Sequence, residues 1–112
     1  MTDVDYLRNH LTEGQMWGQL AEEAAELAQA ALKMQRICDK TNPPRKTADE
    51  CRQAVIEEKA DVEGCFTLLA WYPNTEQDEI IAAKLQRWRK HLEGNATQET
   101  TKKGMARPTK EP

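Results

Sequence analysis

Apolar residues recur three and four positions apart over two long stretches of this 112-residue chain, the spacing of helices that each bury one face. In the first stretch, from about Gln15 to Cys38, the stripe is Met16, Leu20, Leu27, Ala31 and Met34. In the second, from about Ala48 to Trp71, it is Cys51, Val55, Val62, Cys65 and Leu69. Strand signals are nearly absent. Between the stretches, Asn42-Pro43-Pro44 removes backbone donors and forbids helical geometry before each proline, which predicts a hairpin loop from Asp39 to Thr47. Thr47 followed three residues later by Glu50 forms a capping box for the second long helix, and Pro73 lies beyond its end.

Two shorter patterns flank this pair. Asp3 is placed to cap a helix reaching about Glu13, after which Gly14 breaks the chain. Thr75 is placed to cap a helix from about Glu76 to Leu92 with the stripe Ile81, Leu85, Trp88 and Leu92. Its acidic first turn and its basic Arg89, Lys90 and His91 suit the helix dipole. The expected fold is therefore all-α, a bundle of about four helices around a long antiparallel helix hairpin with the fourth packed across it. Residues 1–94 read as one domain, and residues 95–112, with Met105 their single large apolar side chain, read as a disordered polar tail.

With 38% apolar and 31% charged residues, the chain falls in the single-domain range, where the core is small. It contains no signal-like leader and no run of roughly 18 apolar residues, so a soluble, cytoplasmic protein without a membrane partner is expected. Cys38, Cys51 and Cys65 are odd in number and widely spaced, which supports neither a zinc site nor a disulfide framework and predicts free, mostly buried thiols. A net charge of -3 gives no basic field for a phosphate backbone, which argues against nucleic acid as an obligate partner.

Two glutamates disturb the apolar stripes. Glu23 sits inside the first, and Glu58 takes a position in the second where an apolar residue is expected. An offset of 35 positions carries Glu22-Glu23-x-x-Glu26-Leu27 onto Glu57-Glu58-x-x-Asp61-Val62, so each long helix offers an i, i+3 carboxylate pair. Such a pair lies about 5–6 Å apart at Cβ and can share an ion. Packed antiparallel, the two helices would gather Glu23, Glu26, Glu58 and Asp61. Burying unpaired carboxylates is costly, and a divalent cation would compensate. The donors are all oxygen, and His10 and His91 are remote from both pairs, so hard Mg²⁺, or Mn²⁺ in its place, fits better than zinc or iron. The plainer reading is that these are solvated helix glutamates, or that Lys33 and Lys59 neutralise them as surface pairs.

Glu22-Glu23-Ala24-Ala25-Glu26-Leu27 and Glu57-Glu58-Lys59-Ala60-Asp61-Val62 resemble the E-E-x-x-E and E-x-x-D signatures of the MazG-like all-α nucleoside triphosphate pyrophosphohydrolases. The resemblance runs from about Trp17 to Leu92, with a longer loop between the motifs. It implies that Glu23, Glu26, Glu58 and Asp61 ligate Mg²⁺, that a nucleoside triphosphate, with non-canonical and deoxy forms among the candidates, is hydrolysed to monophosphate and pyrophosphate, and that the chain forms a homodimer or homotetramer. Glu22, the nearest unassigned carboxylate, is the candidate general base, with a solvent-facing role as its alternative. Lys84 and Arg87, on one face of the fourth helix with His91, are candidates for the triphosphate, a solvated basic face being the alternative. Trp17 can stack on a nucleobase or fill the core, and Trp71 and Tyr72 raise the same choice. Asn74 can contact a sugar or shape the turn beside Pro73. Two competing functions are a helical adaptor or oligomerisation module without catalysis, and a related phosphoribosyl-ATP pyrophosphohydrolase.

Overall fold

The structure, a computed structural model, describes residues 1–98, and these hold four helices and no strand. They are α1 (Asp3–His10), α2 (Glu13–Asp39), α3 (Ala48–Leu68) and α4 (Thr75–Gln98). No helix among the described residues is long and apolar enough to cross a membrane. The chain divides into two compact units, one spanning Met1–Tyr72 and one beginning at Pro73.

Three helices start on the same device. Thr2, Thr12 and Thr47 each accept a bond from the backbone N–H three residues on, while Asp5, Gln15 and Glu50 reach back to the capping residue's own N–H. The Thr47–Glu50 box is the one expected from the sequence. The others correct it: Thr2 rather than Asp3 caps α1, which ends at His10, and Thr12 starts α2 so that Gly14 lies inside its first turn. A glycine there costs little, because the first turn already lacks intrahelical partners for its N–H groups and the cap supplies them. At α4 the cap is Asn74, whose side-chain oxygen accepts from the Gln77 N–H at 2.8 Å, and Thr75 is already helical. Asn74 is thus a helix-starting residue.

The ends are equally specific. α2 stops at Lys40 and α3 just before Ala70, both in left-handed geometry with φ of 58° and 60°. Thr41 N–H then reaches back to Arg36 O and Trp71 N–H to Phe66 O, closing each helix with a six-residue loop of Schellman type. α3 ends three residues earlier than its apolar pattern suggests. α4 instead runs through Gly94 to Gln98, so Arg89, Lys90 and His91 lie well before its last turn. Residues 95–98, expected to belong to a disordered tail, are helical, and the rest of that stretch, from residue 99, lies outside the described residues.

Within the first unit, α2 packs along α3, and α1 touches α3. Ala30, Cys51 and Cys65 are the buried apolar residues among those described. Most of the expected stripe residues are half-buried, except that Ala30, not Ala31, faces the seam and Cys38 is exposed. All three cysteines are free thiols, as the spacing implied. Arg8 reaches from α1 to the end of α3, donating from Nε to Leu68 O at 2.9 Å and from Nη2 to Thr67 O at 2.7 Å and Tyr72 Oη at 3.2 Å. α3 has no basic residue in its own last turn, so Arg8 provides the cation that its exposed carbonyls favour.

Candidate metal centre

Glu23 and Glu26 lie one helical turn apart on α2, and Glu58 approaches them from α3. One carboxylate oxygen from each falls within 4.8 Å of the other two. Ligands of an octahedral Mg²⁺ sit about 2.1 Å from the ion and so about 4.2 Å apart at most. The 4.8 Å bound on the triad lies just above that figure, and Glu26 is its exposed member. Asp61, the fourth residue expected, is exposed, and its charge, like that of Glu26, acts on both Glu23 and Glu58. The two helices thus bring together three of the four expected carboxylates, and Asp61 stands outside the group.

Glu23 and Glu58 are the distinctive members. Each is half-buried, and the Oε2 atom of each is shut from solvent with no hydrogen-bond partner. Glu23 Oε1 accepts a bond from Gln19 Nε2 at 3.1 Å, which satisfies the other half of that carboxylate. Burial raises both carboxyls above their ordinary value, and the charges of Glu26 and Asp61 raise them further. No lysine or arginine forms an ion pair with Glu23, Glu26 or Glu58 among the described residues. Lys59, one of the two surface partners considered from the sequence, binds Glu63 at 3.1 Å instead. An orphaned, partly buried oxygen on each helix in an all-oxygen set is the environment a hard divalent cation suits. Cys65, buried beside Glu23 and Asp61, does not widen that choice: burial and then the two carboxylates raise its thiol, which keeps it protonated and a poor ligand.

Compared with known proteins, this chain matches no family model, no curated protein and no solved structure.

The remaining candidates are distributed as follows. Glu22 is exposed and does not line the cleft that adjoins the triad, whereas Glu57 does, beside Glu26 and Glu58. The 35-position match already paired Glu57 with Glu22, a signal that pointed to both. Trp17 is 38% exposed, packs edge-to-face on Trp71 with ring centroids 5.4 Å apart, and donates from Nε1 to Glu13 at 3.2 Å. Lys84 and Arg87 are exposed on α4, in the unit that begins at Pro73. Lys33 and Lys46 line the cleft next to the carboxylates. Lys46 was not apparent from the sequence, because it stands in the loop outside any helical stripe.

Proposed function

We propose that this protein is a Mg²⁺-dependent nucleoside triphosphate pyrophosphohydrolase of the MazG-like kind, with Glu23, Glu26, Glu58 and Asp61 as the metal ligands. The observation that carries the proposal is the triad of carboxylate oxygens within 4.8 Å, two of its members holding orphaned oxygens. In this reading α2 and α3 form an antiparallel hairpin. It is supported by the proximity of Glu23 to Asp61 and of Glu26 to Glu58, and by Lys33 sharing the cleft with Cys51. Mn²⁺ would substitute for Mg²⁺, as both are hard, oxygen-seeking ions.

Mg²⁺ bound there would neutralise phosphate oxygens and favour ionisation of an attacking water. The water oxygen bonds to the α-phosphorus, the bond from that phosphorus to the α,β-bridging oxygen breaks, and pyrophosphate leaves with that oxygen. The water's proton needs an acceptor within hydrogen-bond reach. Glu57 lines the cleft and is the better placed carboxylate, with Glu22 the competitor from the motif. Gln53 Nε2 donates to Glu57 at 3.3 Å and fixes its orientation. The Trp17–Trp71 pair offers an aromatic face for a base.

Exposed Leu32 and Ile56, on α2 and α3, support assembly into a homodimer or homotetramer. The test of function is a panel of canonical and modified nucleoside tri- and diphosphates with Mg²⁺, pyrophosphate and phosphate being measured separately. Pyrophosphate without phosphate is the expected product. Phosphate alone contradicts the bond assignment, and no turnover on any member favours a helical adaptor.

A further inference from the structure

Beside the carboxylate triad, the seam between α2 and α3 opens into a cleft of about 380 Å³, within the range of small-molecule sites. Its acidic end is Glu26, Glu57 and Glu58. Its other end carries two cations, Lys33 from α2 and Lys46 from the loop before α3. Arg52, Lys59 and Arg89 all neutralise themselves with acids on their own helices. Lys33 and Lys46 do not: neither makes a hydrogen bond or ion pair among the described residues, although acidic side chains line the same cleft. Two uncommitted ammonium groups, from different elements, thus line one cleft with a carboxylate cluster and can be bridged by an anion long enough to reach both.

The ligand's length follows from the helix. Seven positions separate Glu26 from Lys33 on α2, about 10 Å at 1.5 Å per residue, and the long lysine side chain covers part of that distance. A single phosphate held at the carboxylates leaves the lysines unserved. A diphosphate extending from the metal centre reaches them. In the opposite direction along α2 lies Trp17 with its partner Trp71, so the seam is polar, with an aromatic end, an acidic middle and a basic end.

We propose that Lys33 and Lys46 form a pyrophosphate subsite, holding the two phosphates that depart while the base side of the substrate lies toward Trp17. The inference rests on the metal centre proposed above. Lysine acts as a point charge on phosphate, and both heads are placed to neutralise a leaving group that gains charge. Inorganic pyrophosphate is then a product inhibitor competitive with substrate, whereas inorganic phosphate is a poor one.

Titration calorimetry on the full chain tests this with Mg²⁺ alone, then with inorganic pyrophosphate and inorganic phosphate at saturating Mg²⁺. The wild type should bind pyrophosphate more tightly than phosphate. Lys33→Ala with Lys46→Ala should weaken pyrophosphate roughly 10- to 100-fold while retaining Mg²⁺ affinity and helical content, and the two Lys→Arg replacements should restore binding. Lys59→Ala, already paired with Glu63, should behave as wild type. Equal pyrophosphate affinity in the double variant overturns the subsite, as does an equal loss in Lys59→Ala. Mg²⁺ binding without pyrophosphate binding in the wild type also overturns it and leaves the metal centre standing. Failure of Mg²⁺ itself to bind overturns the metal centre and the subsite with it.

Discussion

Lowering the pH should weaken Mg²⁺ binding in proportion to the protons that Glu23 and Glu58 hold. Both carboxyls lie above their ordinary value of 4.5, because burial and the neighbouring Glu26 and Asp61 disfavour their charged forms. Between 4.5 and the raised values each carries a proton in the metal-free protein, yet a ligand must be ionised. Binding one ion in that window should therefore release up to two protons, one from each of Glu23 and Glu58, and log K should climb with pH at a slope approaching two. Above the raised values the slope falls to zero. Stability without metal should move the other way. A carboxyl raised by folding contributes stability that is complete below 4.5 and is lost as pH rises through the raised value. Saturating Mg²⁺ should reverse that trend. Calorimetric titrations in two buffers of different ionisation enthalpy count the protons directly, and Glu58→Gln should lower the count by one. Mg²⁺ binding with no proton release anywhere in the window would refute the assignment of these carboxyls as ligands.

Three further outcomes follow from the geometry. Arg8→Ala removes a part-buried cation bonded to Thr67 O, Leu68 O and Tyr72 Oη, and should cost about 2 kcal/mol, or roughly 10 °C in melting temperature, with an unchanged melting point counting against the clamp. Ala70→Gly relieves a left-handed residue with φ of 60° and should raise stability by about 1 kcal/mol, read by urea denaturation, whereas a loss would show that the Ala70 methyl packs. Glu57→Gln should lower kcat by about 10²-fold or more with Mg²⁺ affinity kept, if Glu57 takes the water's proton; a comparable loss in Glu22→Gln alone would return that role to Glu22.

The helices were legible in the sequence because apolar period, prolines and capping boxes agreed, most clearly at Thr47–Glu50. Their stops were less so. Lys40 and Ala70 occupy left-handed positions usually marked by glycine, while the actual glycines, Gly14 and Gly94, lie inside helices. Such exceptions arise from closing bonds such as Trp71 N–H to Phe66 O, which no residue type announces. In the site, the carboxylate cluster could be read because an offset of 35 positions places matching acids on two helices and the stripes expose Glu23 and Glu58 as anomalies. The basic end of the cleft was hidden: Lys33 looked like a surface partner for glutamate, and Lys46 comes from a loop whose course periodicity does not describe. The one-position phase error at Ala30 and Ala31 has a similar origin, since two adjacent alanines leave the centre of a stripe undetermined until α3 is packed against it.

The most direct test of the metal centre is the melting temperature of the wild type and of Glu58→Gln with and without Mg²⁺. A native-state ligand at a hundredfold its Kd adds about 2.7 kcal/mol, which for a domain of this size is a rise of roughly 10–20 °C. The wild type should show that rise and Glu58→Gln little or none, with its helical content intact. An unchanged wild-type melting point at saturating Mg²⁺, or an equal rise in Glu58→Gln, would contradict the metal centre.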